Sequence, residues 1–233
     1  MDSKRIINFL QQIRENNNRS WFQLHKDEYL ACKKDFEKGV ADAISQITEF
    51  DSSIAHITVK DAVYRFYRDT RFSPDKSPYK RHFGAYIAAH GRKALHGGYY
   101  LHIEPNNCLL ACGSYWLPTK ILTSCRNEIM ANIKEWQACV ENKDFLKLFG
   151  KPGSGVWEKT QNGFGLEHLK TCPSGFPRNY EHIEYLRMKD FCCWKNVDDA
   201  FFNGDQWLDG IVKVFKVAKP MMDFINNVID DYE

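Results

Sequence analysis

Several patterns that would assign this 233-residue sequence to a familiar class of protein are absent. No window approaches the run of about 18 apolar residues that a membrane-spanning helix needs. The first residues lack the apolar core and small-residue cleavage site of a secretory signal. There is also no internal repeat and no change of composition that would mark a linker. We therefore expect one domain over residues 1–233, located in the cytoplasm and not in a membrane.

Paired cysteine spacing is missing as well. The eight cysteines include no C-x-x-C pair, and the adjacent Cys192 and Cys193 disfavour a simple bridge. Reduced, mostly buried thiols are expected, as is usual for cysteines in a reducing compartment. The sequence assigns no metal and no cofactor.

Net charge is low, but its distribution is uneven. The formal charge is +2, so the protein lacks the global basic field of a typical nucleic-acid binder. Residues 60–93, however, contain nine Lys or Arg against three Asp. Positive charge is therefore concentrated in one stretch, where we look first for a site.

The periodicity of apolar residues predicts an α+β fold. A helix follows the N-terminus, Asn18 caps a long amphipathic helix, and another helix begins at Pro118. A C-terminal helix is expected to be kinked or split by Pro220. Segments in which residue types alternate with a period of two predict a four-stranded antiparallel meander that begins with residues 63–72. A further short strand is expected near residues 166–170. We expect a single α+β domain, with an antiparallel sheet from the middle third packed against the long N-terminal, central and C-terminal helices.

The segment RDTRFSPDKSPYK, residues 68–80, is the strongest site candidate. Its two Ser-Pro signals predict a rigid loop, which can aim guanidinium and ammonium groups at one phosphate or carboxylate. Asp69 is expected to orient an arginine. The alternative is a solvated network in which Asp69 and Asp75 neutralise the cations. The predicted ligand-binding cations are Arg65, Arg68, Arg71, Lys76 and Lys80.

A second candidate lies on a strand that contains Tyr100, His102 and Glu104, which share one face because strand side chains alternate. A His and a Glu two residues apart can act as a proton-transfer pair or as two metal ligands. A hydrogen-bonded polar face is the structural alternative. We predict that His102, Glu104 and Asp69 are catalytic and that Tyr100 contacts the ligand. If this strand lies beside residues 63–72, both sets converge in one pocket.

Two catalytic motifs are present only in part. Ser73 to Lys76 matches the S-x-x-K of serine acyl-enzymes, but the companion S-D-N and K-T-G tripeptides do not occur. His102 and Glu104 match the H-x-E of zinc deaminases, but the P-C-x-x-C element is missing. Neither reaction is predicted.

Five segments resemble a conserved hypothetical family, domain of unknown function 2461, found in bacteria and some fungi. They span nearly the whole chain, and residues 68–80 are the most specific part. The resemblance implies a shared fold and assigns no activity, cofactor or catalytic residue. The segments are NNNRSWFQLHKDEY, YRDTRFSPDKSPYKRHFGAYI, GYYLHIEPNN, LKTCPSGFP and YLRMKDF.

The leading functional hypothesis is an enzyme or small-molecule binder that acts on an anionic, phosphate-type ligand. Replacing Arg71 with Ala is expected to abolish retention of that ligand and to leave Tm nearly unchanged. One alternative is a pocketless interaction scaffold. Another, ranked below the anion site, is a nucleic-acid binder that uses residues 60–93. Its interleaved aromatics are Tyr64, Phe66, Tyr67, Phe72 and Tyr79. No oligomeric state is predicted.

Overall fold

The computed structural model describes residues 1–156, 159–204 and 206–232 and contains nine helices and five strands within them. The helices are α1 Ser3–Glu15, α2 Arg19–Leu24, α3 Lys26–Thr48, α4 Val59–Ala62, α5 Thr119–Ala131, α6 Ile133–Val140, α7 Lys143–Phe149, α8 Ile183–Arg187 and α9 Trp207–Asp230. The strands are β1 Phe83–Ile87, β2 Gly98–Ile103, β3 Cys108–Ser114, β4 Asn162–Phe164 and β5 Phe191–Val197. They form an antiparallel sheet in the order β1-β2-β3-β5-β4, which confirms the predicted α+β fold.

Polar side chains set the ends of the N-terminal helices. Asp2 caps α1, and Asn18 caps α2 by accepting the backbone N–H of Trp21 at 2.9 Å. The long helix predicted from Asn18 is in fact two helices, because the backbone leaves the helical region at His25. The His25 ring stacks on Trp21 with 3.8 Å between ring centroids, which holds the break in place.

The prediction of a strand over residues 63–72 was wrong. This segment makes two isolated bridges, Val63 with Ala85 and Tyr67 with Tyr79. The backbone N–H of Arg68 donates to Pro78 at 2.9 Å, so the segment pairs with the returning arm of its own loop. It therefore lies along β1, and β1 in turn pairs with β2. Residues 63–72 are not the neighbour of β2 that the sequence reading considered.

Two other local predictions differ from the structure. The short strand predicted near residues 166–170 is reduced to one isolated antiparallel bridge, His168 with Met188, because the preceding backbone N–H groups donate to the buried carboxylate of Asp190. Pro220 lies inside α9 without splitting it. Pro220 is exposed, so water can solvate the carbonyl that lacks its helical donor.

The chain divides into two compact units. The first contains Met1–Arg92, Tyr100–Leu109 and Val197–Val212, and the second contains Lys93–Tyr99, Leu110–Asn196 and Lys213–Glu233. Neither unit is one continuous stretch of sequence. The prediction of a single domain over the whole chain stays a prediction.

An aromatic core holds the first unit together. Phe66 is 4% exposed, and its ring centroid lies 5.0 Å from that of Tyr29 and 5.1 Å from that of Phe83. Helices α1 and α3 pack against each other, and α3 also contacts β1. The segment before the Arg68 loop is therefore anchored in the core through Phe66, and the loop itself is at the surface.

The second unit is built around Trp136, which is fully buried. The rings of Tyr185 and Phe191 meet it edge-on, at 5.8 and 5.6 Å between centroids. All eight cysteines of the chain lie in the described residues, none forms a disulfide there, and seven are buried. Among the described helices, none combines the length and the apolar character needed to cross a membrane.

Candidate functional site

Asp75 organises the tip of the loop formed by residues 68–77. Its carboxylate accepts the backbone N–H of Ser77 at 2.9 Å and the Ser77 hydroxyl at 2.5 Å, which makes an Asx-turn. It also accepts a bond of 2.5 Å from Arg68, which donates further to the Ser77 carbonyl at 3.2 Å. These hydrogen bonds, from Ser77 first and then from Arg68, hold the pKa of the Asp75 carboxyl well below its usual range.

Asp69 makes a second Asx-turn in the same loop. It accepts the backbone N–H of Arg71 at 3.2 Å and two guanidinium bonds from Arg71 at 3.0 and 2.7 Å. These bonds lower the pKa of Asp69 to about 2. Lys76 donates to the carbonyl of Thr70 at 2.9 Å. Arg68 and Arg71 thus form ion pairs inside the loop, as the alternative expected, whereas the acceptor of Lys76 is a neutral carbonyl.

The predicted residues on β2 form a continuous chain of hydrogen bonds. The Tyr100 Oη lies 2.8 Å from His102 Nδ1, and His102 Nε2 lies 3.2 Å from Glu104 Oε2. The side-chain amide of Asn107 donates to the same Glu104 oxygen at 2.7 Å. Bonds from His102 and Asn107 lower the pKa of Glu104 although burial, the largest single influence, raises it. Because Glu104 is ionised, His102 donates from Nε2 and accepts from Tyr100 at Nδ1.

The adjacent segment that leads into β1 adds a residue that sequence reasoning missed. The His82 ring centroid lies 4.3 Å from that of His102. Burial, and then the nearby His102 and Lys80, lower the pKa of His82 to about 3, so its imidazole is neutral at physiological pH. The sequence contained a signal for His82. Lys80, His82 and Gly84 are two residues apart, so in an extended chain His82 and Gly84 share one face with the predicted site residue Lys80.

Gly84 makes room for the Tyr100 ring. A Cβ at residue 84 would lie 2.9 Å from Tyr100 Oη and 3.3 Å from its Cε2. A side chain at this position would push the hydroxyl away from His102. The glycine is therefore part of the geometry that places Tyr100 on the polar chain.

A group of cations lies beside this polar face. The Lys80 Nζ is 5.0 Å from the ring centroid of Tyr64, and the Arg92 guanidinium is 5.7 Å from the same centroid. The Tyr64 ring meets that of Tyr100 edge-on, with 6.3 Å between centroids. Arg92 also donates to the carbonyl of Val63. Tyr64 thus joins the cations to the polar face of β2.

These cations are only partly neutralised. Burial, and after it the positive charges of Arg65 and Arg92, lower the pKa of Lys80. Asp61 is within electrostatic range of Arg92, and Asp69 is within range of Arg65. Within residues 1–156, 159–204 and 206–232, however, none of the three cations forms an ion pair with a carboxylate.

The nine predicted site residues therefore separate into two groups. One group lies on or beside the polar face of β2 and comprises Arg65, Lys80, Tyr100, His102 and Glu104. The other belongs to the loop and comprises Arg68, Asp69, Arg71 and Lys76. Sequence reasoning did not assign to this site the residues Tyr64, His82, Gly84, Arg92 and Asn107.

Of the five aromatics proposed for nucleic-acid stacking, Phe66 and Tyr79 are buried, whereas Tyr67 and Phe72 are exposed. Tyr79 is 2% exposed and stacks on Phe22 at 3.9 Å, and Phe66 lies in the core. Phe72 is 93% exposed at the tip of the loop. A continuous row of exposed rings, on which successive bases could stack, is not formed by these residues.

Comparison with known proteins gives one match. The model of the family described as Conserved hypothetical protein (DUF2461) matches residues 5–224, a range that includes both the loop and the polar face. No curated protein and no solved structure matches the chain.

Proposed function

Because the chain belongs to the conserved hypothetical family DUF2461, whose description states no activity, we propose from the site alone that it binds a small anionic ligand. The ligand carries a phosphate or carboxylate group and lies beside the face that contains Tyr100, His102 and Glu104. Lys80, Arg65 and Arg92 supply the positive charge.

One observation carries this proposal. Three cations lie close together beside a partly buried polar face, and none forms an ion pair within the described part of the chain. Holding like charges together costs free energy, more so where burial weakens solvation. A bound anion would offset that cost. Clusters of this kind are candidates for functional sites for that reason.

The other groups have separate roles in this proposal. His102 and Glu104 are the pair that exchanges a proton with the ligand, and Tyr100 holds His102 through its Nδ1. Asp69 orients Arg71 of the loop through its guanidinium group. We assign the loop a positioning role, because it leads directly from the segment of Arg65 to Lys80.

A pair of lysine variants tests the proposal. We expect inorganic phosphate, titrated calorimetrically at low ionic strength, to bind the wild-type protein. Lys80→Met should weaken binding about tenfold or more, since a charge-assisted contact contributes about 1.5 to 3 kcal/mol. Lys76→Met, which removes an exposed lysine bonded to Thr70, is the matched control and should leave the affinity unchanged. Equal losses in the two variants, or no binding of phosphate or acetate at millimolar concentration, would overturn the proposal.

The same titration separates a small anion from a nucleic acid. A mixed-sequence single-stranded oligonucleotide serves as the second probe. If the oligonucleotide binds with steep salt dependence while free phosphate does not bind, the basic segment 60–93 acts on nucleic acid and the small-anion site is wrong. If phosphate binds and Lys80→Met abolishes it, the small-anion site is supported.

A further inference from the structure

We propose that His82, His102 and Glu104 form a binding site for a divalent transition-metal ion. One nitrogen of each imidazole and one oxygen of the carboxylate all lie within 4.8 Å of one another. The three residues belong to the first compact unit and come from the segment before β1 and from the end of β2. This inference goes beyond the proposed function, since a metal can bind whether or not the anion does.

The spacing of the three ligand atoms fits a small coordination sphere. In a tetrahedral zinc site with bonds near 2.1 Å, neighbouring ligand atoms are about 3.4 Å apart. His102 Nε2 and Glu104 Oε2 are 3.2 Å apart, which is close to that edge length. The ligand nitrogen of His82 lies within 4.8 Å of the other two ligand atoms, which exceeds that edge length by no more than about 1.4 Å.

The type of ligand indicates the type of metal. Two imidazole nitrogens and one carboxylate oxygen suit zinc and the neighbouring first-row metals, whereas calcium and magnesium prefer oxygen ligands alone. Three protein ligands leave at least one coordination position for water or a bound molecule. A site with an open position is typical of catalytic metals, and structural zinc sites are closed by four protein ligands.

Hydrogen bonds outside the three ligands orient them. The Nδ1 of His102 lies 2.8 Å from Tyr100 Oη, and Asn107 donates to Glu104 at 2.7 Å. Gly84 leaves the space in which Tyr100 makes this contact. Metal-binding histidines commonly have their second ring nitrogen held by such a partner, which fixes the tautomer. The site therefore has the support that metal ligands need, and not only their spacing.

Metal binding would change the hydrogen bonding of His102. With Nε2 on the metal, the proton moves to Nδ1, and the imidazole donates to Tyr100 instead of accepting from it. His102 and Glu104 then act as ligands, and the proton-exchange role assigned to them in the metal-free protein no longer applies. The anion-binding part of the proposed function is unaffected. The tautomer of His102 thus reports metal binding directly.

Metal titration of the chelator-treated protein tests the site. We expect one equivalent of Zn²⁺ by calorimetry, and a Co²⁺ complex whose absorption lacks the sulfur-to-metal charge-transfer bands of a thiolate ligand. His82→Gln and Glu104→Gln should each weaken Zn²⁺ binding about a hundredfold or more, since loss of an outer partner alone costs about 10- to 100-fold. The control is His56→Gln, which replaces an exposed histidine and should bind Zn²⁺ like the wild type.

A variant that keeps the three ligands distinguishes weaker metal binding from loss of the fold. Tyr100→Phe keeps all three ligands, so it should fold and still bind Zn²⁺ about tenfold more weakly. Wild-type ¹⁵N spectra should show the His102 tautomer change on addition of Zn²⁺. A thiolate signature with Co²⁺, or Zn²⁺ affinity that His82→Gln leaves unchanged, would overturn the inference. Loss of phosphate binding with Zn²⁺ binding intact rejects only the proposed function, and the reverse result rejects only the metal site.

Discussion

The loop of residues 68–77 and the polar face around His102 are both rich in charge, but they use it differently. In the loop, Arg68 and Arg71 meet carboxylates seven and two positions away in the chain. Around His102, the hydrogen bonds along residues 100–107 are also local, but the neighbouring cations Arg65, Lys80 and Arg92 come from other segments. These cations form no ion pair within the described residues. Charge that is balanced locally builds a turn, and charge brought together from distant segments without a counterion is available for a ligand.

Short-range hydrogen bonds within the loop are enough to close it. Both of its aspartates accept the backbone N–H two residues ahead, at Arg71 and Ser77, which are Asx-turns. Such short-range contacts close small loops, so they require little chain entropy. Two consecutive Asx-turns therefore account for the conformation of residues 68–77.

The largest effect on stability is expected from Gly84→Ala. The new Cβ crowds the Tyr100 hydroxyl and ring, and overpacking of this kind costs about 1 to 3 kcal/mol of unfolding free energy. Urea denaturation measures the change. In a Tyr100→Phe background the nearest clashing atom is gone, so the same substitution should cost less. Equal costs in both backgrounds would show that Tyr100 is not held tightly against β1.

A smaller effect is expected from Tyr100→Phe alone. Loss of the bond to His102 Nδ1 should lower the unfolding free energy by about 1 kcal/mol.

Arg71→Ala, at a side chain that is 76% exposed, should leave Tm almost unchanged. From the structure we also expect it to leave phosphate affinity unchanged, in contrast to the loss expected from the sequence. If Arg71→Ala abolishes phosphate binding, the loop and not the polar face holds the ligand.

The next prediction concerns whether the loop cations fail to bind phosphate only because Asp69 and Asp75 neutralise them. In the double variant Asp69→Asn with Asp75→Asn, the amide oxygens can still accept the turn bonds, but the two negative charges are removed. We expect the loop to stay folded and phosphate to gain a second, weaker site, seen as extra heat in calorimetry. Lys80→Met added to this variant should leave the new site intact. Absence of the second site would mean that the loop cations are too far apart to share an anion.

The smallest effect concerns one carboxyl group. Asp69 should titrate with a pKa of about 2 in ¹³C NMR, and Arg71→Ala should return it toward the ordinary value of 3.8. A depressed pKa in the folded state means that the pair helps the loop above about pH 4 and that the help is lost as pH falls through about 2. An Asp69 pKa that is equal in both proteins would contradict the ion pair.

The regular parts of the fold could be predicted from the chain because they depend on local physics. Asn18 caps a helix through its own side chain, and the helical and strand periodicities gave the α+β class. The alternation of a strand was enough to put Tyr100, His102 and Glu104 on one face. These features depend on neighbours a few residues away, so a single sequence contains the information.

Local sequence patterns could not predict which residues from other segments contact Tyr100, His102 and Glu104. His82, Arg92 and Tyr64 join the site because β1 lies between residues 63–68 and β2. From the sequence, adjacency of residues 63–72 to the strand of His102 was only a condition for one shared pocket. Likewise, the aspartates were visible in the sequence, but their bonds to particular arginines were not. Periodicity and turn chemistry describe contacts that are near in the chain, and strand order and ion pairing arise from contacts between distant segments. For this reason the sequence alone predicted part of the site, the polar residues on one strand. Which residues from other segments join them was decided only by the tertiary structure.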